Sequence, residues 1–245
     1  MQAVLYIAHG SRIKAGVEEA IYFIEQTQSL IDVPIQEICF LELAPPTIFE
    51  GITRCIARGA NRIAIVPVLL LTAHHVNKDI PLEIEAAKVQ YPNIKFSYGE
   101  AMGIHSKIID SLYDRILEQE IVIDPQATVL LVGRGSSDQA VKRDLTEIGR
   151  RLSKKYGINQ VNVCFLYGSQ PHFDEAIQQL QASIVNQVFI IPYLLFSGIL
   201  MSQITNKINE QSVETQKFIL CENLGYHQNI KKVLKERVEQ TIAQI

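Results

Sequence analysis

The sequence predicts an α/β protein built from two tandem copies of one unit, each a four-stranded parallel sheet flanked by helices. Three observations predict it. Short runs rich in Val, Ile and Leu alternate with segments of helical period, as strand–helix–strand units of a parallel sheet do. One run, "RIAIVPVLLL" (62–71), is apolar on both faces, as a strand covered by helices on each side must be. The order of elements in the first half then recurs in the second.

In order, the first copy has strand runs "AVLYIA" (3–8), "IQEICFLEL" (35–43), "RIAIVPVLLL" (62–71) and "KFSYGEA" (95–101), with helical segments near 14–30, 46–59, 80–90 and 105–119. The second has "ATVLLVG" (127–133), "NVCFLY" (162–167), "QVFIIPYLLF" (187–196) and "FILCENL" (218–224). Gly10 and Gly135, Pro46 and Pro171, and Pro67 and Pro192 each lie 125 residues apart. Near the end the offset falls to 122, where "MGIH" (102–105) corresponds to "LGYH" (224–227), so the second copy is three residues shorter. The proline in "IDPQA" (123–127) parts the last helix of copy one from the first strand of copy two. The expected halves are therefore 1–123, carrying the active site, and 124–245, a degenerate repeat.

With 245 residues, 47% of them hydrophobic, the chain can bury a substantial core. No run reaches the roughly 18 apolar residues of a membrane span. A net charge of −3 without a basic stripe leaves no footprint for nucleic acid. No basic segment precedes the first strand, so no export signal is expected. Cys39, Cys55, Cys164 and Cys221 form no CxxC pair and read as reduced, mostly buried thiols of a cytoplasmic protein. A monomer or weak homodimer is expected.

Ligands of open parallel sheets bind at the carboxyl ends of the strands. In copy one the first strand ends on His9, the second on Glu42, and the third runs into "TAHHVNKDIP" with His74, His75 and Asp79. Imidazoles and a carboxylate converging there can bind a divalent metal such as Fe²⁺ or Co²⁺ through N and O ligands, and can accept protons near neutral pH. The repeat is an internal control. Across the 125-residue offset His9 becomes Arg134, Glu42 becomes Tyr167 and His75 becomes Leu200, while glycines, prolines and apolar runs survive. A single histidine at a strand end usually serves a structural hydrogen bond. Three polar groups lost together favour a site in copy one. His74 reads as a supporting or solvated neighbour, and Asp79, just before Pro81, as a helix N-cap. His105 and His227 occur in both copies and read as structural or capping residues; His172 is given no role. "GRGSSD" (133–138) opens a helix and could bind an anion, but lacks phosphate-loop spacing. No organic cofactor is implied.

"AHGSR" after the first strand, "FLELAPP" after the second and "HHVNKDIP" after "VPVLLL" resemble the class II tetrapyrrole chelatases over essentially the whole chain. Within that family the motifs are most similar to the sirohydrochlorin ferrochelatases, with the cobaltochelatases of the cobalamin pathway as near relatives. The resemblance implies two flavodoxin-like halves facing each other across a cleft. It also implies Fe²⁺ insertion into sirohydrochlorin to give sirohaem, with Co²⁺ insertion as the alternative. A metal- or tetrapyrrole-binding protein without turnover is the alternative from another class. The family's catalytic histidines fall on His9 and His75, which are also the expected metal ligands, and its acidic partner falls on Glu42. Ser11, Arg12, Lys14, Arg54 and Lys78 are candidates to meet the macrocycle's carboxylates, as is Arg134 from the second copy.

Overall fold

The computed structural model describes residues 1–71, 75–210 and 216–245, with the main chain alone at 75 and 76. His74 and the side chain of His75 lie outside what it describes. The first sheet holds β1 (Gln2–Ala8), β2 (Ile35–Phe40), β3 (Arg62–Pro67) and β4 (Lys95–Tyr98). The second holds β5 (Thr128–Gly133), β6 (Gln160–Phe165), β7 (Gln187–Tyr193) and β8 (Lys217–Leu220). Every pairing is parallel, in the orders β2-β1-β3-β4 and β6-β5-β7-β8. This is the doubly wound order, and both sheets reverse direction between their first and third strands, the switch point where such folds bind ligands. The expected α/β class and four-stranded parallel sheets are both present.

The long apolar runs extend the ladders beyond the regular strands. Val68 N–H donates to the Ile7 carbonyl at 2.8 Å, and Met102 and Gly103 N–H donate to the Leu69 and Leu70 carbonyls at 2.9 and 2.8 Å. β1 is buried along its length from Ala3 to Ala8, because helices cover both faces. Leu5, Ile7, Cys39, Ile52, Ile63 and Ile84 form part of one core cluster under the first sheet. Leu130, Val132, Cys164, Phe173, Ile190 and Ile204 do the same in the second.

The helices are α1 (Lys14–Gln28), α2 (Ile48–Ala57), α3 (Ile80–Gln90), α4 (Ser106–Leu117), α5 (Gln139–Tyr156), α6 (Phe173–Gln181), α7 (Gly198–Asn209) and α8 (Gln228–Ile242). A capping box starts α2: the Thr47 hydroxyl accepts from Glu50 N–H at 3.3 Å, and the Glu50 carboxylate accepts from Thr47 N–H at 2.7 Å. In copy two the Glu175 carboxylate accepts from His172 N–H at 3.0 Å, so His172 stands at the matching cap.

The compact units do not follow the sequence repeat. One unit is Met1–Gly103 with Ile230–Ile245, and the other is Ile104–Asn229. So α4, which closes copy one in sequence, packs with the second sheet, and most of α8 packs with the first. Ser97 Oγ donates to the Thr241 carbonyl at 2.8 Å, and an Arg237 guanidinium N–H donates to the Met102 carbonyl at 2.9 Å. In the other unit an Arg115 guanidinium N–H donates to the Leu224 carbonyl at 3.2 Å. The repeat is expected to break at 123/124; the compact units break at 103/104 and 229/230.

Candidate functional site

His9 follows β1 directly, and Glu42 lies two residues beyond β2. Backbone bonds carry the pairing of these adjacent strands past their regular ends. Leu41 N–H donates to the Ala8 carbonyl at 2.9 Å, and Glu42 N–H to the His9 carbonyl at 3.1 Å. The two residues are thereby held side by side at the carboxyl edge. Their side chains meet: His9 Nε2 stands 3.4 Å from Glu42 Oε1, with the side chains 29% and 43% exposed. That separation is longer than the roughly 2.7–2.9 Å of a tight charge-assisted hydrogen bond.

Gly10 makes the arrangement possible. Its φ is +95°, and a Cβ there would stand 1.8 Å from the Glu42 carbonyl oxygen. Only glycine lets the β1 loop turn this close under the β2 loop. The base of the second loop is tied where Phe40 N–H donates to the Pro46 carbonyl at 2.8 Å.

Copy two repeats the backbone and drops the side chains. Leu166 and Tyr167 N–H donate to the Gly133 and Arg134 carbonyls at 3.0 and 2.9 Å. A Cβ on Gly135 would fall 1.7 Å from the Tyr167 carbonyl oxygen. On that scaffold the Tyr167 hydroxyl donates to Gln203 Oε1 at 2.8 Å, and Arg134 is exposed. Leu200 packs against the second core.

After β3 the chain forms a π-helical turn, His75–Asp79, and passes directly into α3. Copy two has regular α-helix, Gly198–Asn209, across the corresponding residues. Isolated π turns collect at functional sites. Asp79 does not do what the Asp–x–Pro pattern suggested. It is helical, with φ −71° and ψ −45°, and makes no capping bond, because the preceding turn already supplies helical backbone.

The structure gives other candidates ordinary work. Ser11 Oγ accepts from Ile13 N–H at 3.0 Å, and Ser136 Oγ accepts from Asp138 N–H at 3.1 Å, the same turn in both copies. Lys14 pairs with Glu18 at 3.1 Å along α1, while Arg12, Arg54 and Lys78 are exposed. His105 caps α4, its Nδ1 accepting from Lys107 N–H at 3.2 Å; His227 does the same for Asn229 N–H at 3.2 Å. Both histidines are caps, as their presence in both copies implied. Two features escaped the sequence reading: the contact that requires glycine at position 10, and the conformation of Leu43 beside Glu42, for which neither residue type is a signal. No helix among the described residues is long and apolar enough to cross a membrane. All four cysteines are buried and unbridged.

Known proteins share this architecture and sequence. The CbiX family model matches the chain twice, over residues 3–119 and 128–241. The chain is 46% identical over 243 residues to a sirohydrochlorin ferrochelatase of Priestia megaterium, covering 99% of this chain and 91% of that one. It is 40% identical over 242 residues to the sirohydrochlorin ferrochelatase of Bacillus subtilis (strain 168), covering 99% and 92%. It is 32% identical to a sirohydrochlorin cobaltochelatase of Priestia megaterium, covering 98% and 80%. Among solved structures it is similar to SirB from Bacillus subtilis with Fe³⁺, with a TM-score of 0.92 and 39% identity over 99% of this chain and 96% of that one.

Proposed function

The chain belongs to the CbiX family, and on that premise we propose that it is a sirohydrochlorin ferrochelatase, inserting Fe²⁺ into sirohydrochlorin to form sirohaem, with the chemistry centred on His9, Glu42 and His75. One observation carries this reading: the His9–Glu42 pair, 3.4 Å apart at the carboxyl ends of β1 and β2, with His9 on the strand that borders the switch point, stands on a backbone interlock that copy two repeats without either side chain. The iron assignment follows the more similar relatives, both ferrochelatases; Co²⁺ insertion is the second reading, because N and O ligands do not separate the two metals.

Iron is a substrate here, and entry of the dication must be balanced by loss of the inner N–H protons of the macrocycle. His9 offers a neutral imidazole nitrogen that can ligate the incoming metal or take a proton. The Glu42 carboxylate beside it stabilises the imidazolium that forms, or orients the ring for ligation. His75 is assigned as the second imidazole, on the turn that follows β3 across the switch point. Ser11, Arg12 and Arg134 are assigned to the substrate's carboxylates. An Ser11 oxygen that accepts a turn bond still has its own proton to donate, and guanidinium matches a carboxylate in two parallel bonds. A reducing cytoplasm is the compartment that suits four buried, unbridged thiols.

The test is anaerobic insertion of Fe²⁺, Co²⁺ and Ni²⁺ into sirohydrochlorin, compared by specificity constant under multiple turnover. Fe²⁺ is expected to give the highest value, and conversion that stops at one equivalent of protein would instead mark a carrier. His9→Ala and His75→Ala should each slow insertion at least about tenfold, or about 1.4 kcal/mol of barrier, while remaining folded by circular dichroism. Wild-type rates in both variants would remove the site.

A further inference from the structure

The turn after Glu42 holds a residue that neither backbone conformation nor core packing explains. Leu43 has φ +67°. Ala44 N–H donates to the Glu42 carbonyl at 2.9 Å, closing a three-residue turn across it. A γ-turn with positive φ is strained for any residue that carries a Cβ. Copy two makes the same turn without that strain: Ser169 N–H donates to the Tyr167 carbonyl at 2.7 Å about Gly168, whose φ is also +67°. Glycine is thus the residue the backbone favours, and leucine stands in the copy that carries Glu42.

The leucine does not serve the core. It is 47% exposed, whereas Leu41, two residues earlier, packs against the first core cluster. Among the described residues only Glu120 shares the combination of a Cβ and positive φ, and it follows the end of α4. Leu43 directly follows Glu42, whose N–H is tied to the His9 carbonyl, so it is the chain neighbour of the His9–Glu42 pair. A second apolar side chain, Ile13, 38% exposed, stands on the neighbouring loop after β1.

We propose that Leu43 is a substrate-contact residue, whose side chain lies against the face of the planar tetrapyrrole beside the Glu42 carboxylate and sets its affinity and seating. The inference rests on reading the first copy's strand ends as the chelation site. A conjugated macrocycle with an acidic rim is recognised by cations at the rim and apolar contact on its face. His9 and Glu42 serve the centre, Arg12 suits the rim, and Leu43 is the exposed aliphatic group next to the centre. Backbone strain at a site persists where the surrounding structure holds it for function.

Leu43→Gly and Leu43→Met test this. The glycine variant should keep or raise the thermal midpoint, since it relieves the turn. Its KM for sirohydrochlorin should rise about tenfold, the scale of losing one aliphatic contact, with kcat little changed. Fe²⁺ affinity of the substrate-free protein, read by titration, should be unchanged, and Leu43→Met should restore KM. A wild-type KM in Leu43→Gly overturns the inference. So does a lower thermal midpoint accompanying the KM rise, which would make Leu43 a packing residue, or a matching loss of Fe²⁺ affinity. His9→Ala in the same assay keeps the two readings apart. If it is inactive while Leu43→Gly binds substrate normally, only the Leu43 contact is wrong; if His9→Ala is fully active, the site itself is.

Discussion

Replacing Gly10 by alanine puts a methyl group where the backbone of Glu42 stands. The Cβ would lie 1.8 Å from the Glu42 carbonyl oxygen, while real Cβ atoms keep at least 3.0 Å from such a neighbour, so one loop must move by about 1.2 Å. The oxygen belongs to main chain that also accepts from Ala44 N–H, so it cannot swing aside as a side chain would. Alanine at φ +95° adds roughly 1–2 kcal/mol of conformational strain. The displaced residue is Glu42 itself, and a misplacement of about 1 Å at a reacting group costs on the order of 10²-fold in rate. Gly135→Ala is the control, since its Cβ would fall 1.7 Å from the Tyr167 carbonyl oxygen on the same scaffold. Thermal unfolding should show similar destabilisation in the two variants. Anaerobic Fe²⁺ insertion should show kcat falling about a hundredfold in Gly10→Ala and less than about tenfold in Gly135→Ala. A wild-type kcat in Gly10→Ala would refute the claim that this contact positions Glu42. Equal losses in both variants would attribute the effect to general destabilisation.

Arg134→Ala should raise KM for sirohydrochlorin and leave Fe²⁺ affinity intact, because guanidinium can bind a carboxylate but cannot ligate a cation. Loss of metal binding as severe as in His9→Ala, seen by metal titration, would bring copy two into the metal site. The cysteines should resist thiol reagents near pH 8 until the protein is denatured. Burial pushes Cys55 and Cys221 up to about 12 and raises Cys39 and Cys164 as well, so almost no thiolate, the reactive form, is present. Rapid labelling of any of the four in the native protein would contradict that burial.

Much of the fold was legible because its signals are local. A strand buried on both faces must be apolar at successive positions, and β1 and β3 are. The repeat offset, carried by Gly10 and Gly135, matched two backbone turns that coincide bond for bond. His9 and Glu42 could be singled out because each stands at the end of an apolar run and each has a different residue in copy two. Asp79 misled because its Pro81 spacing fits a cap equally well whether the preceding backbone is extended or helical.

Periodicity and internal repetition determined the strands, the parallel pairing and the positions where chemistry could stand. Tertiary structure decided which sheet each closing helix covers, why position 10 must be glycine, and that Leu43 holds a conformation suited to glycine. The reason is one of range. A helix's pattern says which face is buried but not which sheet buries it, so α4 and α8 could be assigned only once Arg115 met Leu224 and Ser97 met Thr241. The approach of Gly10 to Glu42 depends on bonds between residues of two different strands, and the turn about Leu43, closed locally where Ala44 N–H donates to the Glu42 carbonyl, is announced by no residue type there.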